Sequence, residues 1–374
     1  MQNETRTELG AIIAIQKNVL NLLLQNLENL GYEVLGPHVE NQTLVYTSIH
    51  ELEDLPRGYI AEQEAGHFRL IYSGHTRYFD VTPGAQSWKQ FLFPSRTKLF
   101  ELNRVNENWE MKPPISGTPA YAFIGVRGCE LAAIQIQDNA FIRSDFTDPI
   151  YRARREKAFL LAVNCLHPSG TCFCASMKTG PSIEAGADLI LTELEDVFLL
   201  KIGSELGRNI ISGLPIESAS AFLLNAANKG LERAALQMGR SMEIEGLPEM
   251  LLNNLDSPHW RSIGERCLSC ANCTQVCPTC FCWDTLDTLS LDGNQTTRTR
   301  VWDSCFNPGY SYQAGGNTRP TLHSRYRQWL SHKLGTWKVQ YGTLGCTGCG
   351  HCITWCPAGI DITSEVAALR KETR

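Results

Sequence analysis

The chain lacks any apolar run long enough to cross a bilayer. A membrane helix needs about eighteen or more consecutive apolar residues, and the best candidate, 11–24, is interrupted by Gln16, Lys17 and Asn18. The order of a secretory signal is missing too, since Met1–Glu8 is polar throughout. Charge of one sign is scarce. A net charge of −5 over 374 residues, with a pI near 6.0, offers no electrostatic footprint for nucleic acid or an anionic membrane. No Gly-rich loop sits between a strand and a helix to cradle a phosphate, and no residue pattern marks an activated nucleophile. Glu184, Asp188, Glu193, Glu195 and Asp196 read as solvated charges, not as paired catalytic carboxylates. Low-complexity segments and solenoid periods are absent. These absences point to a cytoplasmic protein without membrane insertion, nucleic-acid binding or acid–base hydrolysis.

What the chain does have is cysteine, fifteen in all. In a secreted protein that number would suggest disulfides, but in a long chain with clustered C-x2-C runs it reads as metal binding in a reducing compartment. Cys267–Pro278 spells C-L-S-C-A-N-C-T-Q-V-C-P, and Cys346–Pro357 repeats it as C-T-G-C-G-H-C-I-T-W-C-P, offset by 79 residues. Both are C-x2-C-x2-C-x3-C-P, the run with which two-cluster ferredoxins hold a pair of 4Fe–4S clusters. Two-residue gaps let three thiolates turn into one tight loop, while the fourth is carried past it to the other cluster. The expected ligand sets are therefore Cys267, Cys270, Cys273 with Cys356, and Cys346, Cys349, Cys352 with Cys277. Pro278 and Pro357 close the loops, because a residue without N–H cannot continue regular pairing. Structural zinc is the competing reading, but zinc sites favour two well-separated Cys pairs. Backbone amides around Gly345, Gly348 and Gly350 are placed to offset the negative charge of a thiolate-bound cluster.

A second group comprises Cys129, in G-V-R-G-C-E, and Cys165, Cys172 and Cys174, in N-C-L-H-P-S-G-T-C-F-C. Each segment follows a strand-like run, Tyr121–Val126 and Phe159–Val163. If those strands are neighbours, the four thiolates converge and suit a third 4Fe–4S cluster; buried, unliganded cysteine is the alternative. Arg127 is then a hydrogen-bond donor to that cluster, or else an ordinary salt-bridged arginine. His351 lies inside the second run and is expected to support it without ligating, while His167, between Cys165 and Cys172, is a candidate odd ligand. Three cysteines remain: Cys280, Cys282 and Cys305. Packing around the first cluster, a redox-active pair and ligation of a further cluster are all open to them.

Two domains are expected, as the length exceeds one ordinary domain. Residues 1–240 alternate strand-like and helix-like segments and read as a mixed α+β or α/β domain. Apolar spacing over 7–30 predicts a helix there, and Leu44–Ile49, Phe68–Tyr72 and Leu189–Thr192 read as further strands. Residues 241–374 read as a mainly helical two-cluster ferredoxin-like domain. Its two motifs are separated by 68 residues, far more than a compact ferredoxin leaves. In Arg319–Lys338 a helix is expected to bury Tyr326, Trp329, Leu330 and Leu334, with Arg325, Arg327, His332 and Lys333 mostly on its solvated side.

Taken together, these motifs resemble the iron–sulfur subunit family shared by anaerobic sulfite reductase and sulfhydrogenase-type nickel–iron hydrogenases, where it forms the β subunit. The resemblance rests on G-V-R-G-C-E at 125–130, R-R-E-K at 154–157, C-F-C-A-S-M at 172–177 and C-P-T-C-F-C at 277–282. R-V-W-D-S-C at 300–305, G-G-N-T-R-P at 315–320 and R-Y-R at 325–327 extend it. It spans about 120–360, with one mild departure, Gly128-Cys129-Glu130 where the family more often has Pro-Cys-Asp. The resemblance implies a chain that transfers electrons and binds several 4Fe–4S clusters. Its partners would be a flavin- and nicotinamide-binding subunit, together with a catalytic subunit bearing nickel–iron or sirohaem. The alternative is a stand-alone reductase of sulfur or disulfide substrates that uses Cys280, Cys282 and Cys305.

Overall fold

The computed structural model describes residues 7–112, 117–143 and 145–372; most of the polar Met1–Glu8 stretch lies outside them. Its centre is an eight-stranded mixed sheet. In chain order its strands are β1 (Ile12–Gln16), β2 (Glu33–Glu40), β3 (Thr43–Ser48), then after two other sheets' strands β8 (Tyr121–Arg127), β9 (Phe159–Val163), β10 (Leu189–Glu193), β11 (Val197–Ile202) and β12 (Glu217–Ser218). Across the sheet they run β12-β1-β11-β10-β9-β8-β2-β3. The middle four, β2, β8, β9 and β10, are parallel, and the outer pairings are antiparallel. Parallel strands are covered on both faces and so read as continuous apolar runs: Phe159–Val163 is buried at every position.

One face is covered by the helix Val19–Asn29, which buries Val19, Leu20, Leu23, Leu24 and Leu27. At about 1.5–3 kcal/mol each, these contribute on the order of 10 kcal/mol of burial before entropy is counted. The helix predicted over 7–30 is thus only half right. Ile12–Gln16 is a strand held between β11 and β12, with Ile13, Ala14 and Ile15 all buried. A short unbroken apolar run has no period that separates a covered strand from a buried helical turn. The opposite face packs Leu131, Ile134 and Phe141 of the helix Gly128–Phe141 with Trp88 and Tyr151.

Two sheets lie outside this layer. A hairpin joins β4 (Tyr59–Glu64) to β5 (His67–Tyr72). A four-stranded sheet, β13-β14-β6-β7, joins β6 (Arg96–Val105) and β7 (Asn108–Lys112) to β13 (Trp283–Leu289) and β14 (Gln295–Trp302). The last two strands come from the segment between the cysteine motifs, expected to be mainly helical. That region does have helices, among them Leu247–Asn253, His259–Arg266, Leu322–Ser331 and Ile362–Glu372. Its apolar core also takes in Phe173 and Met177 from the earlier half of the chain. Antiparallel pairing of β14 with β6 adds a second tie between the halves. Among the described residues no helix is long and apolar enough to cross a membrane.

Candidate metal centres

The structure brings the cysteines of the two motifs together across the repeat. Cys267, Cys270, Cys273 and Cys356 line one cavity beneath Phe306, Tyr326 and Trp329. Burial pushes the Cys273 thiol well up, and the charges of Cys267, Cys356 and Cys270 push it further. The second group is Cys346, Cys349, Cys352 and Cys277: burial raises Cys352, helped by Cys346, Cys349 and Cys277. The motif loops are tight because they use left-handed backbone at Ser269, Ala271, Gly348 and Gly350. That geometry turns amides inward. Ser269 N–H donates to Cys267 Sγ at 3.4 Å, Gly348 N–H to Cys346 Sγ at 3.5 Å and Ile360 N–H to Cys356 Sγ at 3.4 Å.

The third group is assembled at the end of the central sheet. β8 and β9 are parallel neighbours, so the segments that follow them emerge side by side. Gly125, at φ +95°, sits at an irregularity in β8, and Arg127 and the helix carrying Cys129 follow it. Cys165 follows β9 and donates its amide to Pro181 O at 3.1 Å. Cys174 opens the short helix Cys174–Met177. Burial raises the Cys129 thiol well above its ordinary value, with Cys174, Cys349 and Cys172 adding to it. Cys174 is likewise raised by burial, then by Cys172, Cys165 and Cys349. Cys349 therefore borders both the second and the third group. The contact is close: Phe173 N–H donates to Gly348 O at 2.9 Å, and a Cβ on Gly348 would stand 2.6 Å from Phe173 C.

In each group burial pushes thiols up; Cys277 is instead held well below its ordinary value, by Cys280 and by the Lys333 and Lys89 charges, against burial. Burial disfavours thiolates, and four neighbouring thiols repel one another once charged, so added cations are what let the set ionise. The donors fit thiolate-ligated iron on that chemistry. Among the described residues no group of three or more His, Cys, Asp or Glu is arranged for a single metal ion.

Cations stand around the groups. Arg127 is 5 % exposed; its Nη2 donates to Phe79 O and to Val81 O, while Nη1 has no hydrogen-bond partner among the described residues. Its charge lowers the Cys165 thiol, against a larger rise from burial. Lys333, expected on a solvated face, is instead 3 % exposed and donates to Cys277 Sγ at 3.4 Å, Thr279 Oγ1 at 2.8 Å and Gly345 O at 2.9 Å. Burial works against its charge, but Cys277, Cys280 and Cys346 outweigh it and raise its pKa. Lys89, not singled out in the sequence, is equally buried and donates to the carbonyls of Gln275, Cys277 and Cys280. Arg325 is buried too, bonded to Phe306 O and Arg319 O. Tyr326, Trp329, Leu330 and Leu334 do face the core.

Other side chains sit differently from expectation. Glu193, expected to be solvated, is 4 % exposed; it pairs with Lys17 at 2.9 Å and accepts from the amides of Tyr78 and Phe79. It holds the segment that supplies Arg127's carbonyl partner, which local charge density could not reveal. Asp188 is half-buried and bonds Leu160 N–H and Ser204 Oγ. His167 pairs with Asp80 at 2.7 Å, and His351 is buried beside the second group. Gln63 went unremarked in the sequence. Its Oε1 accepts from Ser169, Thr171 and Thr354, tying the β4 hairpin to both the third group and the second motif. Cys280, Cys282 and Cys305 border a cavity of about 480 Å³ with Tyr310, Arg319 and Lys333.

Residues 266–360 match the 4Fe-4S dicluster domain, a domain of at least two 4Fe–4S clusters. Sulfhydrogenase 2 subunit beta of Pyrococcus furiosus is 33 % identical over 286 residues, which is 76 % of this chain and 82 % of that protein. No solved structure matches.

Proposed function

The chain belongs to the family of the sulfhydrogenase β subunit, and from that premise we propose that it is the electron-transfer subunit of an oxidoreductase complex. Cys267, Cys270, Cys273 and Cys356 hold one 4Fe–4S cluster, and Cys346, Cys349, Cys352 and Cys277 hold a second. Cys129, Cys165, Cys172 and Cys174 hold a third. The clusters, when bound, supply one-electron carriage. The observation that carries this reading is the contiguity of the three cysteine groups. Cys277 acts on Cys273 across the first two, and Cys349 acts on Cys129 across the last two.

The chain's own work is to space the groups and set their potentials. Inward amides, the Lys333 ammonium and the free Arg127 Nη1 each favour the more negative, reduced state. Hydrophobic walls back the first group on one side, where Phe306, Tyr326 and Trp329 are buried, while Cys270 is exposed on the other. At one end of the relay the proposed partner is a flavin- and nicotinamide-binding subunit. At the other it is a catalytic subunit bearing nickel–iron or sirohaem, and the complex works in the cytoplasm. We place the domain division near residue 240, with 1–240 supplying the third group and 241–374 the first two. The experiment is iron and acid-labile sulfide per chain on anaerobically purified protein, with EPR of the reduced sample. About twelve irons are expected; about eight would remove the third cluster, and zinc in place of iron would overturn the reading.

A further inference from the structure

Ser169 and Cys172 are held side by side by a turn, in which Cys172 N–H donates to Ser169 O at 3.2 Å. Gly170 occupies that turn because the β4 hairpin presses on it: a Cβ there would stand 2.3 Å from Gln63 O. Arg240 bolts hairpin and turn together, donating to Gly170 O at 2.8 Å and pairing with Glu64 at 2.8 Å. Gln63, Ser169, Thr171 and Thr354 are all buried. Pro83 O can only accept, so it fixes the Gln63 amide with Nε2 towards it, at 3.2 Å, and towards Thr82 Oγ1 at 2.9 Å. Oε1 therefore faces three hydroxyls, those of Ser169, Thr171 and Thr354, at 3.1, 3.1 and 3.2 Å. Ser169 Oγ is also 3.2 Å from Cys172 Sγ. A hydroxyl has one proton to donate, so the amide oxygen and the sulfur compete for it. When Ser169 turns to the sulfur, Gln63 Oε1 is still served by Thr171 and Thr354, which lie 2.8 Å apart. The turn leaves no buried acceptor unpaired, which keeps its cost low.

We propose that Gln63 is a positioning residue for the third centre, acting through Ser169: the Ser169 hydroxyl points to Gln63 Oε1 in the oxidised state and to Cys172 Sγ in the reduced one. The proposal rests on the reading of Cys172 as a ligand of a third 4Fe–4S cluster. One electron enters from the relay, and its charge, shared by the ligand sulfurs, makes Cys172 Sγ the stronger acceptor. The hydroxyl then rotates about the Ser169 Cβ–Oγ bond. No covalent bond forms or breaks, and no proton leaves Ser169. A hydrogen bond made only in the reduced state raises the potential. Gln63 limits the rise, because the hydroxyl gives up a good partner to make it.

The test is an EPR-monitored redox titration of full-length, anaerobically purified protein, following the signal that Cys172→Ala erases, in variants whose iron content matches the parent. Ser169→Ala should lower the reduced-to-oxidised ratio of that centre about tenfold at a fixed potential, about 59 mV for a one-electron couple. Gln63→Met should move the ratio the other way, and the double variant should match Ser169→Ala. Loosening of the hairpin alone would shift both single variants in one direction. Shifts of the same sign, or a Gln63→Met effect that persists without the Ser169 hydroxyl, overturn the proposal. If Gln63→Met does not take up iron, deuteron couplings decide. After exchange into D₂O the reduced third centre should show a coupled deuteron that Ser169→Ala lacks, and identical couplings in the two overturn the proposal. Iron of about twelve with no opposed shifts sinks the Gln63 role alone; about eight, with no third signal, removes the third cluster and that role with it.

Discussion

Lys333→Met is the most direct test of how this chain sets a potential. The lysine Nζ lies 3.4 Å from Cys277 Sγ, and the surrounding thiolates keep it charged. If charge added at the second group lay about 6 Å from Nζ, the interaction would follow Coulomb's law at that distance. At an effective dielectric of about 20 the interaction is roughly 3 kcal/mol per electron added. For a one-electron couple that corresponds to about 120 mV. Removing the positive charge therefore makes the second centre harder to reduce, by on the order of 100 mV. Met fills most of the same volume; Thr279 Oγ1 loses a donor, which costs about 1–3 kcal/mol, while Gly345 O still accepts from Thr279 Oγ1 at 2.7 Å. The assay is an EPR-monitored redox titration of protein whose iron content matches the parent. Lys89→Met is the comparison, because Lys89 bonds carbonyls and not the sulfur, and its shift should be smaller. An unchanged potential in Lys333→Met, or an upward shift, refutes the reasoning.

Cys356→Ser should lower iron by about four per chain and erase the EPR signal of the centre that includes Cys267, while Cys277→Ser erases the other; loss from the same motif's own loop would mean the pairing is local. Gly348→Ala should destabilise by at least ~2 kcal/mol, read as lowered Tm, because it forces a side chain at φ +67° and 2.6 Å from Phe173 C. Burial opposes it, but hydrogen bonds from His167 and Arg77 hold the Asp80 carboxyl below its usual range. A depressed native pKa means stability that is complete above about pH 4 and lost as pH falls through the native value. Asp80→Asn should therefore flatten the acid limb of stability against pH, followed by circular dichroism; an unaltered acid limb counts against the role.

The cysteines of the two motifs were legible because their spacing is local, and the crossing of Cys277 and Cys356 follows from where each motif's fourth thiol is carried; the third group turned on the pairing of β8 with β9. The strands β3, β5, β8, β9 and β10 were legible as short apolar runs. β1 was not, since its four apolar residues abut the helix Val19–Asn29 and share its period. The hairpin of β13 and β14 was hidden for a different reason. Its strands expose Trp283, Leu286 and Leu289 among Thr, Asp and Arg, which blurs any apolar alternation, and its partner β6 lies nearly two hundred residues earlier. Lys333 and Arg325 looked like surface charges, and Lys89 drew no notice, because their neutralising partners are thiols and carbonyls brought in by the fold. The same holds for Glu193 and Gln63, whose roles depend on contacts more than a hundred residues away.

The exchange of fourth cysteines also bears on how the protein can be made. Cys356 stands with Cys267, Cys270 and Cys273, and Cys277 with the loop that begins at Cys346. On the proposed assignment the second nest has its four thiolates only once residue 352 has left the ribosome, and the first only at residue 356. The third group is complete by Cys174, yet the loop at Gly348 that backs it arrives equally late. Metal loading is thus a step that follows synthesis, with the early cysteines waiting exposed as the chain grows. A cell starved of iron or flooded with oxygen during that wait would accumulate the polypeptide with its thiols unprotected.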